Sequence, residues 1–168
     1  MREERVTGDG LAANIAARQH GVVSSVQLKS ACGIDKDGIH RRVRAGRLHR
    51  VHRGVYAVGH PALSNEGRWM AAVVACGERA ALSHRSAGEL WRLLPVRAGA
   101  PHVTVPGTGG RRKRGGIHIH RSAHLTDAVT TYRNGIRVTI PARTIADLKR
   151  TAPPYEVRKA IRQAEIAG

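Results

Sequence analysis

An α+β fold is predicted by three features of this 168-residue sequence. Apolar residues recur at helical spacing in several short, capped segments. Between and after these segments the pattern changes to alternation, and Gly or Pro punctuates nearly every change. Hydrophobic residues make up 41% of the chain, enough for a packed core, but Phe is absent and aromatics are only 3%. Ala, Val, Leu and Ile must therefore build that core.

Residues 1–8 are charged and unpatterned, as in a loose tail. Asp9 is placed to cap a first helix, with Leu11, Ile15 and Ala16 on its apolar face and Gly21 as its stop. Ser24 or Ser25 caps a second helix, in which Val26, Leu28 and Ala31 are apolar and which ends at Gly33. Asp35 caps a third, which runs to about Ala45 and is closed by Gly46. Beyond Gly46 the spacing alternates. Leu48 and Val51 fall in one run, Val55 and Ala57 in another, with His52-Arg53-Gly54 between them as a tight hairpin tip. Helix, helix-turn-helix, then hairpin is the element order of a winged helix-turn-helix, here over residues 9–59.

Residues 60–168 read as a second, small mixed α/β domain with a short, mostly antiparallel sheet. Ser64 caps a helix from about Asn65 to Cys76, and Ser83 caps another that reaches Leu94 and stops at Pro95. Strand-like runs follow at His102 to Val105, Ile117 to His120 and Ile136 to Ile140. A Gly-rich basic loop, Gly107 to Gly116, joins the first two as a hairpin tip. Pro141 opens a helix through Leu148, Pro153-Pro154 breaks the chain, and a last helix runs from about Tyr155 to the end.

Charge supplies the first functional clue. Lys and Arg number 29 against 12 acids, a net charge of +17, and a field of that sign attracts polyanions such as nucleic acid. The two cysteines, Cys32 and Cys76, form neither a disulfide framework nor a zinc ligand set. With no leader-like apolar run and no membrane-length segment, a cytoplasmic protein is expected.

The third helix localises that charge. Ile39 and Val43, four residues apart, define its expected buried face, so Arg41 points directly away, with Asp37 and Arg44 near it and His40 and Arg42 on the flanks. Guanidinium and imidazole donors on an outward face suit a helix inserted in the major groove of double-stranded DNA. Lys36 and the wing residues Arg47, Arg50, His52 and Arg53 supply phosphate contacts. From Asp35 to Arg53 there are seven Lys or Arg against two acids.

The run Gly46-Arg-Leu-His-Arg-Val-His-Arg-Gly54-Val-Tyr56-Ala-Val-Gly59 resembles the wing of the AbiEi-type antitoxin family. Ala81-Leu-Ser-His84-Arg-Ser-Ala87, Leu90-Trp91 and Ile140-Pro-Ala-Arg143-Thr144-Ile-Ala-Asp147-Leu148 extend the resemblance from roughly Ala12 to Arg162. It implies the antitoxin half of a type IV toxin–antitoxin pair, which represses its own operon through the winged helix. It also implies a nucleotidyltransferase-like toxin encoded nearby and a second domain that serves antitoxicity. Similar actinobacterial proteins continue into an endonuclease-like domain related to very-short-patch repair enzymes. A DNA-targeting part of such an endonuclease, or a toxin-neutralising interaction protein with secondary DNA binding, are therefore the alternative readings.

Other features carry less. Arg111, Arg112, Lys113 and Arg114 make the 107–116 loop strongly basic, either a solvated tip or a second contact for nucleic acid. Docking of an acidic partner there follows only from the resemblance. The loop does not satisfy the phosphate-binding G-x-x-x-x-G-K-[ST] pattern. His118 and His120 share one side of a strand, with His124 beyond, but no acid or thiol nearby completes a metal shell, and no metal is expected. Ser83 and His84 are adjacent in sequence without forming a catalytic pair, and Arg143 and Asp147 read as a surface or inter-helix ion pair. No enzyme site and no cofactor motif emerges.

Overall fold

Each of the three N-terminal helices starts where a side-chain oxygen can satisfy its free N–H groups. In the computed structural model, which describes residues 7–109 and 114–168, the chain divides into units of residues 1–75 and 76–168. Helix α1 (Gly8–Arg18) is capped by Thr7, whose hydroxyl accepts from the Gly10 N–H at 3.2 Å. Asp9, expected as the cap, lies two positions past it in the first turn and reaches another element. Of the expected tail, residues 1–6 lie outside the described residues, and Gly8 is already helical.

A short strand not anticipated from the sequence follows, β1 (Val22–Ser24); three residues are too few to show a period. Helix α2 (Ser25–Ser30) begins with a reciprocal cap in which Ser24 Oγ accepts from the Gln27 N–H and Gln27 Oε1 from the Ser24 N–H. Only Leu28 of this helix is buried. Val26 is 71% exposed and Ala31 is exposed too, because so short a helix offers one turn to the core. Helix α3 (Lys36–Arg44) is capped by Asp35, which accepts from the Gly38 N–H at 2.7 Å.

The hairpin β2 (Leu48–His52) and β3 (Val55–Val58) turns through Arg53 and Gly54, with a bulge between Arg50 and His52. Gly54 has φ +76°, which only Gly adopts without strain. β3 also pairs with β1, giving an antiparallel sheet of order β1-β3-β2. Ala12, Val23, Leu28, Ile34, Ile39 and Leu48 make the core between helices and sheet. Helix α4 (Asn65–Cys76), expected to open the second domain, falls with the first unit as far as Ala75. At Gly67 the helix runs so close that a Cβ would lie 2.8 Å from the His20 carbonyl oxygen.

The second unit is a five-stranded sheet carrying three helices: β4 (Ala81–Leu82), α5 (His84–Leu90), β5 (His102–Pro106), β6 (His118–Ser122), β7 (Thr130–Arg133), β8 (Ile136–Thr139), α6 (Pro141–Thr151) and α7 (Pro154–Ala167). Strand order is β6-β5-β4-β8-β7. Among the described residues antiparallel pairs predominate, four to two. In this sheet, however, β5 with β6 and β4 with β8 are parallel. The parallel β5–β6 pairing excludes the hairpin expected between them. β4 and β7 were not anticipated: one is two residues long, and the other, Thr-Thr-Tyr-Arg, lacks apolar alternation.

Helix α5 ends at Leu90 rather than Leu94. Arg92 takes φ +62°, and the Leu93 and Leu94 N–H groups both turn back to the Gly88 carbonyl. The turn delivers Leu93 and Leu94 to a core with Leu148 of α6 and Ala160 of α7. A buried ion network ties α5 to α7: Arg85 bonds Glu89 at 2.9 Å and Glu156 at 2.6 Å, and Arg97 also reaches Glu156 at 2.8 Å. Among the described residues no helix is long and apolar enough to cross a membrane.

Loss of the α3 cap is a direct test of this account. Asp35→Ala should lower unfolding free energy by ~1 kcal/mol, read by chemical denaturation.

Candidate nucleic-acid interface

The orientation of α3 decides which side chains are available, and it differs from the helical-wheel expectation. Gly38 and Ile39 are buried and Arg42 is half-buried, whereas Val43 is 37% exposed. The buried face is therefore centred between Gly38 and Ile39 on the Arg42 side, not between Ile39 and Val43. At 100° per residue this turns the outward face by about 70°. His40 and Arg44 now lie at its centre with Asp37, while Arg41, Lys36 and Val43 flank it.

Two contacts impose that rotation. Gly38 has no room for a side chain, since a Cβ would stand 2.9 Å from Asp35 Oδ1 and 3.0 Å from Ile34 Cγ2. Arg42 folds back along the helix, donating from Nη1 to the Gly38 carbonyl at 3.0 Å and from Nε to Asp9 Oδ1 on α1. The other Asp9 oxygen takes Arg47 Nη1 at 3.2 Å, just before the hairpin. The hydrogen bond from Arg42, with the charges of Arg42 and Arg47, holds the Asp9 carboxyl below its usual range despite partial burial. Asp9 and Arg42 were not recognised as site-forming residues because 33 positions separate them.

The expected contact residues fall into groups. Lys36, His40, Arg41 and Arg44 are exposed on α3, and Arg50 and Arg53 are exposed on the hairpin. Arg47 keeps its side chain 68% exposed although it touches Asp9. His52 is half-buried at the hairpin turn. The hairpin tip is tied down, since the Gly54 carbonyl accepts from the Ser25 N–H at 2.8 Å. Asp37 is the one exposed acid of α3. Arg111, Arg112 and Lys113 lie outside the described residues; Arg114 is half-buried and bridges Ile117.

Residues 11–59 match a family described as transcriptional regulator, AbiEi antitoxin. Through this segment the chain is similar to the AbiEi antitoxin family of transcriptional regulators. The match takes in α1 from Leu11 onward, α2, α3 and the whole hairpin, so the AbiEi-type segment coincides with the elements that carry the cationic face. It ends at Gly59, before the motifs at Ala81–Ala87 and Ile140–Leu148. No curated protein matches the chain.

In the second unit the histidines assemble in a way that sequence separation concealed. His102 pairs in register with His118, and Thr104 with His120. The His84 ring stacks on His120 at 3.6 Å between centroids, and His102 lies 3.0 Å from His120 through Nδ1 and Nε2. Among the described residues no group of three His, Cys, Asp or Glu is arranged to hold a metal ion. Burial and the neighbouring imidazoles push His84 down to about 3 and His102 down to about 4; burial also lowers His120. Arg143 and Asp147 form the expected ion pair, within α6 at 2.9 Å, with Asp147 buried rather than at the surface.

Two measurements follow. Asp9→Ala should cost less than ~1 kcal/mol, because the carboxylate is partly solvated, and NMR of the arginine side chains should show Arg42 Nε losing its protection. For the imidazoles, the unfolded chain binds protons near pH 6.5 that the folded chain refuses until about pH 3 to 4. Stability must then fall as pH is lowered through that window. Melting temperature should drop between pH 7.5 and 5, and the slope should flatten in His84→Gln/His102→Gln.

Proposed function

We propose that the AbiEi-type segment binds double-stranded DNA as a winged helix-turn-helix, and that the protein is a repressor and antitoxin of type IV kind acting on its own operon. The observation that carries this reading is the outward face of α3, with His40 and Arg44 at its centre and Lys36 and Arg41 beside them. Arg44 and Arg41 are suited to bidentate bonding of guanine O6 and N7, and Asp37 to accepting from a cytosine amino group. Val43, exposed on the same side, suits a thymine methyl. Arg50 and Arg53 on the hairpin, with Arg47 before it, hold phosphates and give affinity rather than sequence choice. Arg42 is reserved for Asp9 and takes no part. A nucleotidyltransferase-like toxin as protein partner follows from the family resemblance, not from any surface described above.

A mobility-shift titration with the chain's own promoter DNA tests the reading. His40→Ala/Arg44→Ala should lose more sequence discrimination than Arg41→Ala, by ~1–3 kcal/mol for each lost bidentate pair. Arg53→Ala should weaken specific and non-specific DNA alike and lower the salt slope by about 0.9. Unchanged binding by the His40/Arg44 double variant removes α3 from recognition.

A further inference from the structure

We propose that the cleft of the second unit lined by His84, His120, Arg121, Arg143, Asp147 and Arg150 binds a small phosphorylated ligand of nucleotide size. The cleft measures about 540 Å³, within the range of ~300–1,000 Å³ usual for small-molecule sites. That is far more than a bare phosphate fills.

Its chemistry is asymmetric. Three guanidinium groups stand around it, and Asp147 is the single acid in its wall. Arg143 is already held in place: Nε donates to Asp147 Oδ1 at 2.9 Å, Nη2 to Ser122 Oγ at 3.1 Å and Nη1 to the His124 carbonyl at 3.4 Å. With five N–H donors, it keeps two for an incoming anion. Arg121 and Arg150 are exposed and complete the positive field. Three forked cations around one space suit a multiply charged anion such as a phosphate group.

The remaining polar atoms call for more than phosphate. Asp147 is only 4% exposed, yet its Oδ2 has no hydrogen-bond partner. A buried carboxylate oxygen left so is costly, and a ligand O–H or N–H meets the need. A nucleoside carries both. Behind His84, Thr104 Oγ1 donates to Ser83 Oγ at 2.7 Å, and Ser83 Oγ lies 2.9 Å from His84 Nδ1, so the ring is fixed in orientation through that nitrogen. The His84 backbone is held at φ +51°, an uncommon conformation of the kind that clusters at ligand sites. The stacked His84 and His120 rings add a flat surface for a planar base.

Calorimetric titration of the full chain with the four nucleoside 5′-monophosphates, ribose 5-phosphate, adenosine and inorganic phosphate decides the matter. At least one monophosphate should bind at least about tenfold tighter than inorganic phosphate or adenosine. Arg150→Glu, an exposed change that should leave the melting temperature intact, should weaken it by about tenfold or more. Asp147→Asn, checked for folding by its melting temperature, should shift the preference among the monophosphates. His40→Ala/Arg44→Ala should leave nucleotide binding unchanged. Absence of binding at millimolar nucleotide, equal binding of inorganic phosphate, indifference to Arg150→Glu, or loss on changing His40 and Arg44 would each overturn the proposal.

Discussion

The Asp9 carboxylate holds two guanidinium groups, Arg42 on α3 and Arg47 ahead of the hairpin, and the geometry of the first unit follows from that grip. One oxygen sets the rotation of α3 about its axis, the other the departure of the chain toward β2. Electrostatics here act less as a source of stability than as a positioning device. An exposed pair contributes little free energy, but a guanidinium has a fixed donor geometry and admits few alternatives. The outcome is a division of labour among neighbouring arginines. Arg42 is spent inside the unit, and Arg41 and Arg44 are left outside.

A second constraint runs through the other unit, where polar groups are buried in quantity. Glu89, Glu156, Asp147, His84, Thr139 and Thr144 are all in the interior. Most are paired: the glutamates with Arg85 and Arg97, and Thr139 with Thr144 at 2.7 Å. With no Phe in the chain, aromatic bulk is scarce, and Trp91 binds its surroundings by polar means as well. Its Nε1 donates to the Thr139 carbonyl at 2.8 Å, and Arg133 sits over its ring at 4.8 Å. Networks of this type specify a unique arrangement when every member is satisfied. Among the described residues of this unit, Asp147 Oδ2 and Arg133 Nε are buried without a hydrogen-bond partner, and Asp147 lines the cleft beside His84 and His120.

Most of the signals that were read correctly have a local cause, although Ser83, expected as a cap, makes no side-chain cap hydrogen bond. The Ser24 and Asp35 caps, Gly46 and Gly54 at the turns, and Pro141 at a helix start all act through atoms within a few residues of themselves. The Thr7 cap escaped because Asp9, a better capping residue by type, stands two positions on. The β1, β4 and β7 strands escaped because each is too short or too polar to show a period. Strand direction in the second sheet escaped as well, for nothing between Gly107 and Gly116 distinguishes a hairpin from a crossover without the pairing partner.

What the residues determined by themselves was the succession of three helices and a hairpin over residues 9–59, the likeness of residues 11–59 to the AbiEi antitoxin family and the concentration of cationic side chains around α3 and the hairpin. These depend on caps, spacing and composition, all properties of neighbouring positions. Only the tertiary structure decided which of those cations face outward, because burial of Arg42 rather than Val43 depends on a carboxylate 33 positions away. It alone also brought His84, His120 and Asp147 to one cleft, since three separate elements of a mixed sheet must pair and pack before those side chains meet.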